Sequence, residues 1–231
     1  MQDFIKPERQ AQPMTSAHEA LKRLREGNER FASEVHTGER FLHRMRRAKT
    51  NFEQRPFAIV LGCSDSRVPV EIVFDQDLGD LFVIRVAGNI AAPSQLGSIE
   101  FAAAEFGTPL VVVMGHTHCG AILGTLEQLR RPTEARSPHL RFIADRIRPA
   151  MAHLLAPELD YDRETLIRKS VQANVRQSVE QLRHGSKILE RLVDTGQLRV
   201  VGAEYSLETG RVEFFDDLPP AGPASQHSPN H

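Results

Sequence analysis

The chain has two cysteines, and each of them lies in a short segment whose residue types could carry chemistry. Cys63 stands in Gly62-Cys-Ser-Asp-Ser-Arg67, and Cys119 stands in Gly115-His-Thr-His-Cys-Gly120. Two thiolates and an imidazole are soft to borderline ligands, and zinc is the metal that such a set suits best. Cys63, His116 and Cys119 would leave one tetrahedral position open, which is typical of a catalytic zinc site.

His118 is the nearby alternative ligand, because it stands two residues after His116. We favour His116, since the two residues between it and Cys119 let the chain wrap around one metal, and we expect His118 to face solvent or to support the ligands from outside. A site that also used His118 would be closed, and the protein would then bind or sense zinc without turnover. A thiol redox protein is a third alternative, but the cysteines do not form the Cys-x-x-Cys pair that this function uses.

Asp65 and Arg67 follow Cys63 by two and four residues, so both could serve the same metal. A carboxylate beside an open zinc position can occupy that position itself, or it can accept a hydrogen bond from bound water. A bidentate hydrogen bond from Arg67 would hold the carboxylate away from the metal. An ordinary surface ion pair, which contributes little to stability, is the alternative role for these two residues.

The apolar pattern places both cysteines at one edge of a parallel sheet. Phe57–Leu61 and Leu110–Met114 are short and continuously apolar, as expected of strands that are buried on both faces. Cys63 and Cys119 follow these two strands, and sites in open α/β sheets form beyond the carboxyl ends of the strands. If the two strands are neighbours, the thiols converge from distant positions in the sequence. A helix that starts after Cys119 would also favour its thiolate.

Strands and helices alternate along the chain, which predicts an α/β fold with right-handed crossovers. We expect a mainly parallel central sheet, with about four parallel strands and one antiparallel edge strand, flanked by helices. The other predicted strands are Leu81–Ile84, Arg199–Ser206 and Val212–Phe215. The predicted helices cover about 17–33, 95–106, 120–130 and 185–194, and one more carries Ile167, Val171, Val175, Val179 and Leu182 at helical spacing. The first helix should begin with a capping box formed by Ser16 and Glu19.

The composition argues against several classes of function. The formal net charge is −1 and there is no basic tail, so we expect no attraction to nucleic acid or to anionic lipid. No apolar run approaches the ~20 residues that span a bilayer, and the first residues lack the apolar core of a signal peptide. Two cysteines in a reducing compartment do not indicate a disulfide. We therefore expect a cytoplasmic protein without nucleic-acid or membrane partners.

The paired motifs Cys63-x-Asp65-x-Arg67 and His116-x-x-Cys119 are similar to those of the β-class carbonic anhydrases. The similarity runs over about 54–120 and continues more faintly to about 205. It implies the β-carbonic anhydrase fold and the reversible hydration of CO2 to bicarbonate and a proton by zinc-bound hydroxide. It also implies that one Zn2+ per subunit is held by Cys63, His116 and Cys119, and that Asp65 and Arg67 form a catalytic dyad.

The same resemblance assigns four residues to the substrate. Gln54 matches a glutamine whose side-chain amide orients the substrate, and Phe82, Ala87 and Phe101 fall where the family lines its apolar CO2 pocket. Phe101 would come from the partner subunit, although each of the three apolar residues could instead belong to the core. Hydrolysis of CS2 or COS could use the same zinc site, but the chain shows no added segment that would close a tunnel over the pocket.

The resemblance also predicts an assembly and a division of the chain. Residues 1–35 would be an arm and a helix that embrace a partner, which implies a homodimer or a homotetramer. Residues 36–216 would form the zinc-binding α/β catalytic domain. Residues 217–231 are rich in proline and are expected to be disordered.

One position departs from the family pattern. Some bacterial members bind inhibitory bicarbonate at a second site that contains a tryptophan, an arginine and a tyrosine. Arg85 and Tyr205 match this site, but Val60 stands where the tryptophan would be. We therefore expect no such inhibition, and we expect Asp65 to pair with Arg67 while water occupies the zinc.

Overall fold

The computed structural model describes residues 15–33, 54–130, 137–156 and 159–215 of the chain. Its strands are β1 (Ala58–Gly62), β2 (Leu81–Arg85), β3 (Leu110–His116), β4 (Arg199–Tyr205) and β5 (Val212–Phe215). They form a five-stranded sheet in the order β2-β1-β3-β4-β5. The first four strands are parallel to their neighbours, and β5 runs antiparallel to β4. The predicted mainly parallel sheet with one antiparallel edge strand is confirmed.

The helices flank this sheet on both sides. Those in the described residues are α1 (Ala17–Ala32), α2 (Val70–Val73), α3 (Pro93–Phe106), α4 (Gly120–Arg130), α5 (Pro138–Met151), α6 (Arg163–His184) and α7 (Lys187–Asp194). Two 3-10 turns, Ala87–Asn89 and Ala152–Leu155, complete the regular structure of the same residues. The helix predicted at 95–106 starts earlier, at Pro93, because proline has a fixed φ that suits the first helical turn.

Two apolar layers cover the two faces of the sheet. Val60 and Val112 point to the face that α1 covers. Ile59 and Val111 point to the opposite face, where they pack against α3, α6 and α7. This alternation follows from the strand geometry, since successive side chains of a strand point to opposite faces. With helices on both faces, β1 and β3 are buried over their whole length, which explains their continuously apolar sequences.

Helix α1 packs against its own chain. Its predicted capping box forms: the Ser16 hydroxyl accepts from the Glu19 backbone N–H, and the Glu19 carboxylate accepts from the Ser16 backbone N–H. Gly27 lies so close to α2 that a Cβ atom there would stand 1.8 Å from the carbonyl oxygen of Phe74. The capping box therefore fixes the start of the helix, and the close approach at Gly27 requires a residue without a side chain further along it.

Some predictions concern segments that lie outside the described residues. These segments are residues 1–14 of the predicted arm, residues 34–53 and the predicted disordered tail at 217–231. The domain boundaries and the embrace of a partner by residues 1–35 accordingly stay predictions. Within the described part of the chain, none of the helices combines the length and the apolar character that crossing a membrane requires.

Candidate metal centre

Cys63 and Cys119 meet at the carboxyl edge of the sheet because β1 and β3 are parallel neighbours. Cys63 is the first residue after β1, and Cys119 comes three residues after the end of β3. Their sulfur atoms lie 4.0 Å apart. A ring nitrogen of His116 lies within 4.8 Å of both sulfurs. The structure thus brings together the three donors that the sequence singles out.

His116 is the last residue of β3, and its side chain is fully buried. Its Nδ1 atom lies 2.8 Å from the carbonyl oxygen of Thr117. Because a carbonyl oxygen can only accept, Nδ1 carries the proton and Nε2 presents a lone pair. Among the described residues, Nε2 has no hydrogen-bond partner. A buried acceptor without a partner is costly, and a divalent cation beside the two sulfurs would satisfy it, so the donor set fits zinc.

The two buried thiols influence each other's protonation. The hydrogen bond from Cys119 lowers the pKa of Cys63, and the same pairing, together with burial, raises the pKa of Cys119. These opposite shifts favour the thiolate at Cys63 and the thiol at Cys119, and a divalent cation bound between them would favour both thiolates. The backbone N–H groups of Ala121 and Ile122, at the start of α4, act in the opposite sense and lower the pKa of Cys119. This is the effect predicted for a thiol that precedes a helix.

Asp65 and Arg67 form a bidentate pair in the loop after β1. The Arg67 Nε atom lies 3.0 Å from Oδ1 of Asp65, and its Nη2 atom lies 2.9 Å from Oδ2. These hydrogen bonds hold the pKa of the Asp65 carboxyl well below its ordinary value. The Oδ2 atom also lies 3.9 Å from Nε2 of His116, so the ionised carboxylate stands directly beside the donor cluster.

Arg85 makes two hydrogen bonds that the sequence did not indicate. Its Nε atom donates to the carbonyl oxygen of Cys63 at 2.9 Å, and its Nη2 atom donates to the carbonyl oxygen of Asp65 at 2.5 Å. The sequence had matched Arg85 only to an inhibitory bicarbonate site. The strand register carries the missing signal, since Arg85 ends β2 opposite Gly62, the residue that precedes Cys63. Arg85 therefore holds the backbone of the loop that presents Cys63 and Asp65.

His118 is engaged with an acidic residue of the β4–β5 turn. It adopts a left-handed backbone conformation with φ of 55°, and its Nε2 atom lies 2.6 Å from the carboxylate of Glu208. The hydroxyl groups of Thr117 and Ser206 donate to the same carboxylate. The pKa of Glu208 is lowered to about 2, mainly by a hydrogen bond from its own backbone N–H and next by the bond from the Ser206 hydroxyl. His118 is not among the described donor side chains that lie within 4.8 Å of one another.

The residues assigned to the substrate lie in more exposed places. Gln54 is exposed ahead of β1, and Ala87 opens the 3-10 turn that follows β2. The ring of Phe82 on β2 lies 6.4 Å from the ring of Phe101, centroid to centroid. Phe101 projects from α3 and is 53% exposed. The candidate metal donors are thus enclosed by one chain, whereas Gln54 and Phe101 are exposed on it.

Comparisons with known proteins identify a family for this chain. A family model described as carbonic anhydrase matches residues 58–212. A carbonic anhydrase of Mycolicibacterium smegmatis is 38% identical over 208 residues, which make up 89% of this chain and 97% of that protein. The solved structure of the β-carbonic anhydrase CcaA has a TM-score of 0.65 at 28% identity, and the match covers 85% of this chain and 95% of that one.

A further solved structure shares the fold. It comes from work on two tetrameric β-carbonic anhydrases of the filamentous ascomycete Sordaria macrospora. Its TM-score is 0.63 at 24% identity, and the match covers 87% of this chain and 96% of that one. The part of the chain that the family model matches contains Cys63, His116 and Cys119.

Proposed function

Since this chain belongs to the β-carbonic anhydrase family, we propose that it carries out the reversible hydration of CO2 to bicarbonate and a proton at one zinc ion, which Cys63, His116 and Cys119 hold. Hydration of CO2 is the general reaction of carbonic anhydrases. What we propose for this chain is the metal, its ligands and the roles of the neighbouring residues. The observation that carries it is the cluster of three buried donors, in which Nε2 of His116 has no partner among the described residues.

The proposal requires an open fourth position on the metal. Three protein ligands leave such a position in a tetrahedral site. His118 is the candidate for closing it, but its Nε2 atom lies 2.6 Å from the Glu208 carboxylate. The two oxygens of Asp65 are likewise each engaged by Arg67. These contacts favour a catalytic site over a closed zinc site without turnover.

The chemistry depends on a carboxylate that stays ionised beside water. Bound at this place, zinc supplies a Lewis acid that lowers the pKa of water to about 7. Asp65 stands close enough to the donor cluster to accept a hydrogen bond from water at the open position. Because Arg67 keeps its pKa low, Asp65 can accept but not donate, and this fixes the direction in which the water presents its lone pair to CO2.

We assign the binding of CO2 to an apolar surface that includes Phe82 and Ala87, with Phe101 supplied by a second subunit. CO2 is apolar, so an apolar surface suffices to hold it. The side-chain amide of Gln54 would donate to the oxygen on which negative charge develops. The exposure of Phe101, 53% within one chain, supports its place at a subunit interface.

We also propose a homodimer or homotetramer in the cytoplasm. Two tetrameric β-carbonic anhydrases are the source of one structure that shares this fold, and the exposed Phe101 of α3 is available for a contact between subunits. The ligands Cys63 and Cys119 act as thiolates, and a reducing compartment preserves them. The net charge of −1 supports the absence of nucleic-acid partners.

Stopped-flow CO2 hydration on protein of measured zinc content tests the proposed function. We expect one zinc per chain and turnover that increases between about pH 7 and about pH 9 as more of the bound water ionises. Removal of zinc with a chelator should abolish turnover, and addition of zinc should restore it. Fully zinc-loaded protein without turnover at either pH would contradict the proposal.

A further inference from the structure

The 3-10 turn Ala87–Asn89 has an unfavourable backbone. Gly88 has φ of 72° and Asn89 has φ of 43°, so two consecutive residues lie in the left-handed region. This region is open to glycine but costs free energy for a residue that carries a Cβ atom, such as asparagine. Conformations of this kind persist only where the surroundings hold them. The hydrogen bond from Asn89 N–H to the carbonyl oxygen of Val86, at 3.0 Å, secures one end of the turn.

Two side chains of α6 hold two carbonyl groups of the turn. The Asn174 amide donates to the carbonyl oxygen of Gly88 at 2.7 Å, and the Ser178 hydroxyl donates to the carbonyl oxygen of Asn89 at 3.0 Å. Asn174 is 1% exposed and Ser178 is 2% exposed. The two residues are four positions apart, so they share one face of the helix. Burial of polar side chains is costly unless they are hydrogen-bonded. Asn174 and Ser178 share their buried face with Ser170, but these two residues donate outside the helix, to the turn.

The turn brings a backbone donor to one of the two sulfurs. Gly88 N–H donates to the Sγ atom of Cys63 at 3.5 Å, inside the protein. A Cβ atom on Gly88 would lie 2.7 Å from Cδ1 of Ile147 and 3.1 Å from Cβ of Ala121. Both the left-handed backbone and the close packing therefore require glycine here. The position of this N–H is set by the turn, and the turn is held by α6.

We propose that Asn174 and Ser178 are positioning residues that tune the metal through Gly88. By holding the two carbonyl groups of the turn, they aim the Gly88 N–H at the Cys63 sulfur. A hydrogen bond to a thiolate reduces the charge that the sulfur donates to its metal, and outer partners of this kind adjust both affinity and Lewis acidity. Two thiolates donate more charge than neutral imidazoles, so withdrawal of charge from one of them strengthens the metal as a Lewis acid. This inference depends on the proposed function, since it requires a metal bound to Cys63.

The test compares substitutions on one face of α6. Ser178→Ala and the double variant Asn174→Ala/Ser178→Ala remove the bonds to the turn. Ser170→Ala is the matched control, because Ser170 is fully buried on the same helix and its hydroxyl donates to the carbonyl oxygen of Leu166, within α6 itself. Ser178→Ala removes a single oxygen atom and is expected to fold, so the comparison does not depend on the double variant.

Each protein is measured for zinc affinity against a competing chelator and, after replacement of zinc by Co2+, for the energy of the sulfur-to-cobalt charge-transfer band. We expect the double variant to lose about tenfold in zinc affinity, at the lower end of what outer partners contribute. We expect the band to move to longer wavelength in both α6 variants, more in the double variant, because a thiolate that has lost a hydrogen bond donates charge more readily. Ser170→Ala should match the parent protein in both measurements.

Two results would overturn the inference. The α6 variants could match Ser170→Ala in both measurements, or they could lose zinc affinity while the band stays in place, which would indicate a structural role alone. Failure of the proposed function has a different signature, since the parent protein itself would then bind no stoichiometric zinc or would hydrate no CO2.

Discussion

The two sides of the candidate site are built in different ways. On the metal side, His116 is 0% exposed, Cys119 is 1% exposed and Cys63 is 5% exposed, and all three lie at the ends of two buried neighbouring strands. On the proposed substrate side, Phe101 is 53% exposed and projects from the outside of α3. The sheet of a single chain is thus sufficient to bring the candidate metal donors together. The substrate pocket, as proposed, requires a second subunit to complete it.

This contrast predicts the largest effect for a change of a metal donor. Cys119→Ser should lose zinc, because a neutral hydroxyl is a poor ligand beside one thiolate and one imidazole. Without the metal, CO2 hydration should fall by at least about a thousandfold. Zinc content by elemental analysis and stopped-flow kinetics check both parts. A variant that keeps one zinc per chain would show that Cys119 is not a ligand.

A smaller effect is expected when the metal stays and its carboxylate neighbour changes. Asp65→Asn should keep its zinc and lose about a hundredfold in kcat, because the amide cannot replace the ionised acceptor. Asp145→Asn is the control, since Asp145 pairs with Arg148 at 3.1 Å on the exposed side of α5. The control should leave kcat unchanged. An unchanged rate in Asp65→Asn would assign the carboxylate no catalytic role.

A change on the substrate side should affect assembly and substrate use but not the metal. Phe101→Ala should retain one zinc per chain, lose about tenfold in kcat/KM and weaken the assembly, since a buried aromatic residue at an interface contributes roughly 1–2 kcal/mol or more. Phe142→Ala is the control, because Phe142 is 46% exposed on a different helix, α5. Sedimentation at several concentrations measures the assembly. Loss of zinc from Phe101→Ala would contradict the claim that metal binding does not depend on the substrate side.

The smallest effect concerns the acidic residue beside His118. Hydrogen-bond donors lower the pKa of Glu208 from 4.5 to about 2 in the folded protein. The ionised carboxylate therefore stabilises the fold above pH 4.5, and this contribution is lost as the pH falls towards the lower pKa. Denaturant unfolding of the metal-free protein between about pH 6 and about pH 3 should show a difference from Glu208→Gln that shrinks as the pH falls. A difference that does not depend on pH would contradict the assigned pKa.

Most of the sheet could be predicted because its strands are continuously apolar. Phe57–Leu61 and Leu110–Met114 both correspond to strands in the structure, and β3 runs on to His116 because it pairs with β4 as far as Tyr205. Helix α2 was not predicted, since its four residues are too few to show a helical period. The turn at 87–89 was not predicted either, because its conformation depends on side chains of α6 that lie far away in the sequence.

The convergence of Cys63, His116 and Cys119 could be predicted from residue type and strand order, but the groups that hold them in place could not. Cysteine and histidine side chains are common metal ligands, so their residue type alone indicates a metal site, and the strand order brings them together. Arg85 donates hydrogen bonds to the carbonyl oxygens of Cys63 and Asp65, and the backbone N–H of Gly88 donates to the Cys63 sulfur. Contacts to backbone groups leave no pattern in a single sequence, so these roles become visible only with the register of β1 and β2.

X-ray absorption at the zinc edge of the purified protein tests the central claim most directly. We expect two sulfur ligands at about 2.3 Å, one imidazole nitrogen and one further nitrogen or oxygen atom, the last two at about 2.0–2.1 Å. Added anions should be able to displace the nitrogen or oxygen ligand that does not come from imidazole. A shell with fewer than two sulfurs, or one closed by a second imidazole, would contradict a catalytic site built from Cys63, His116 and Cys119.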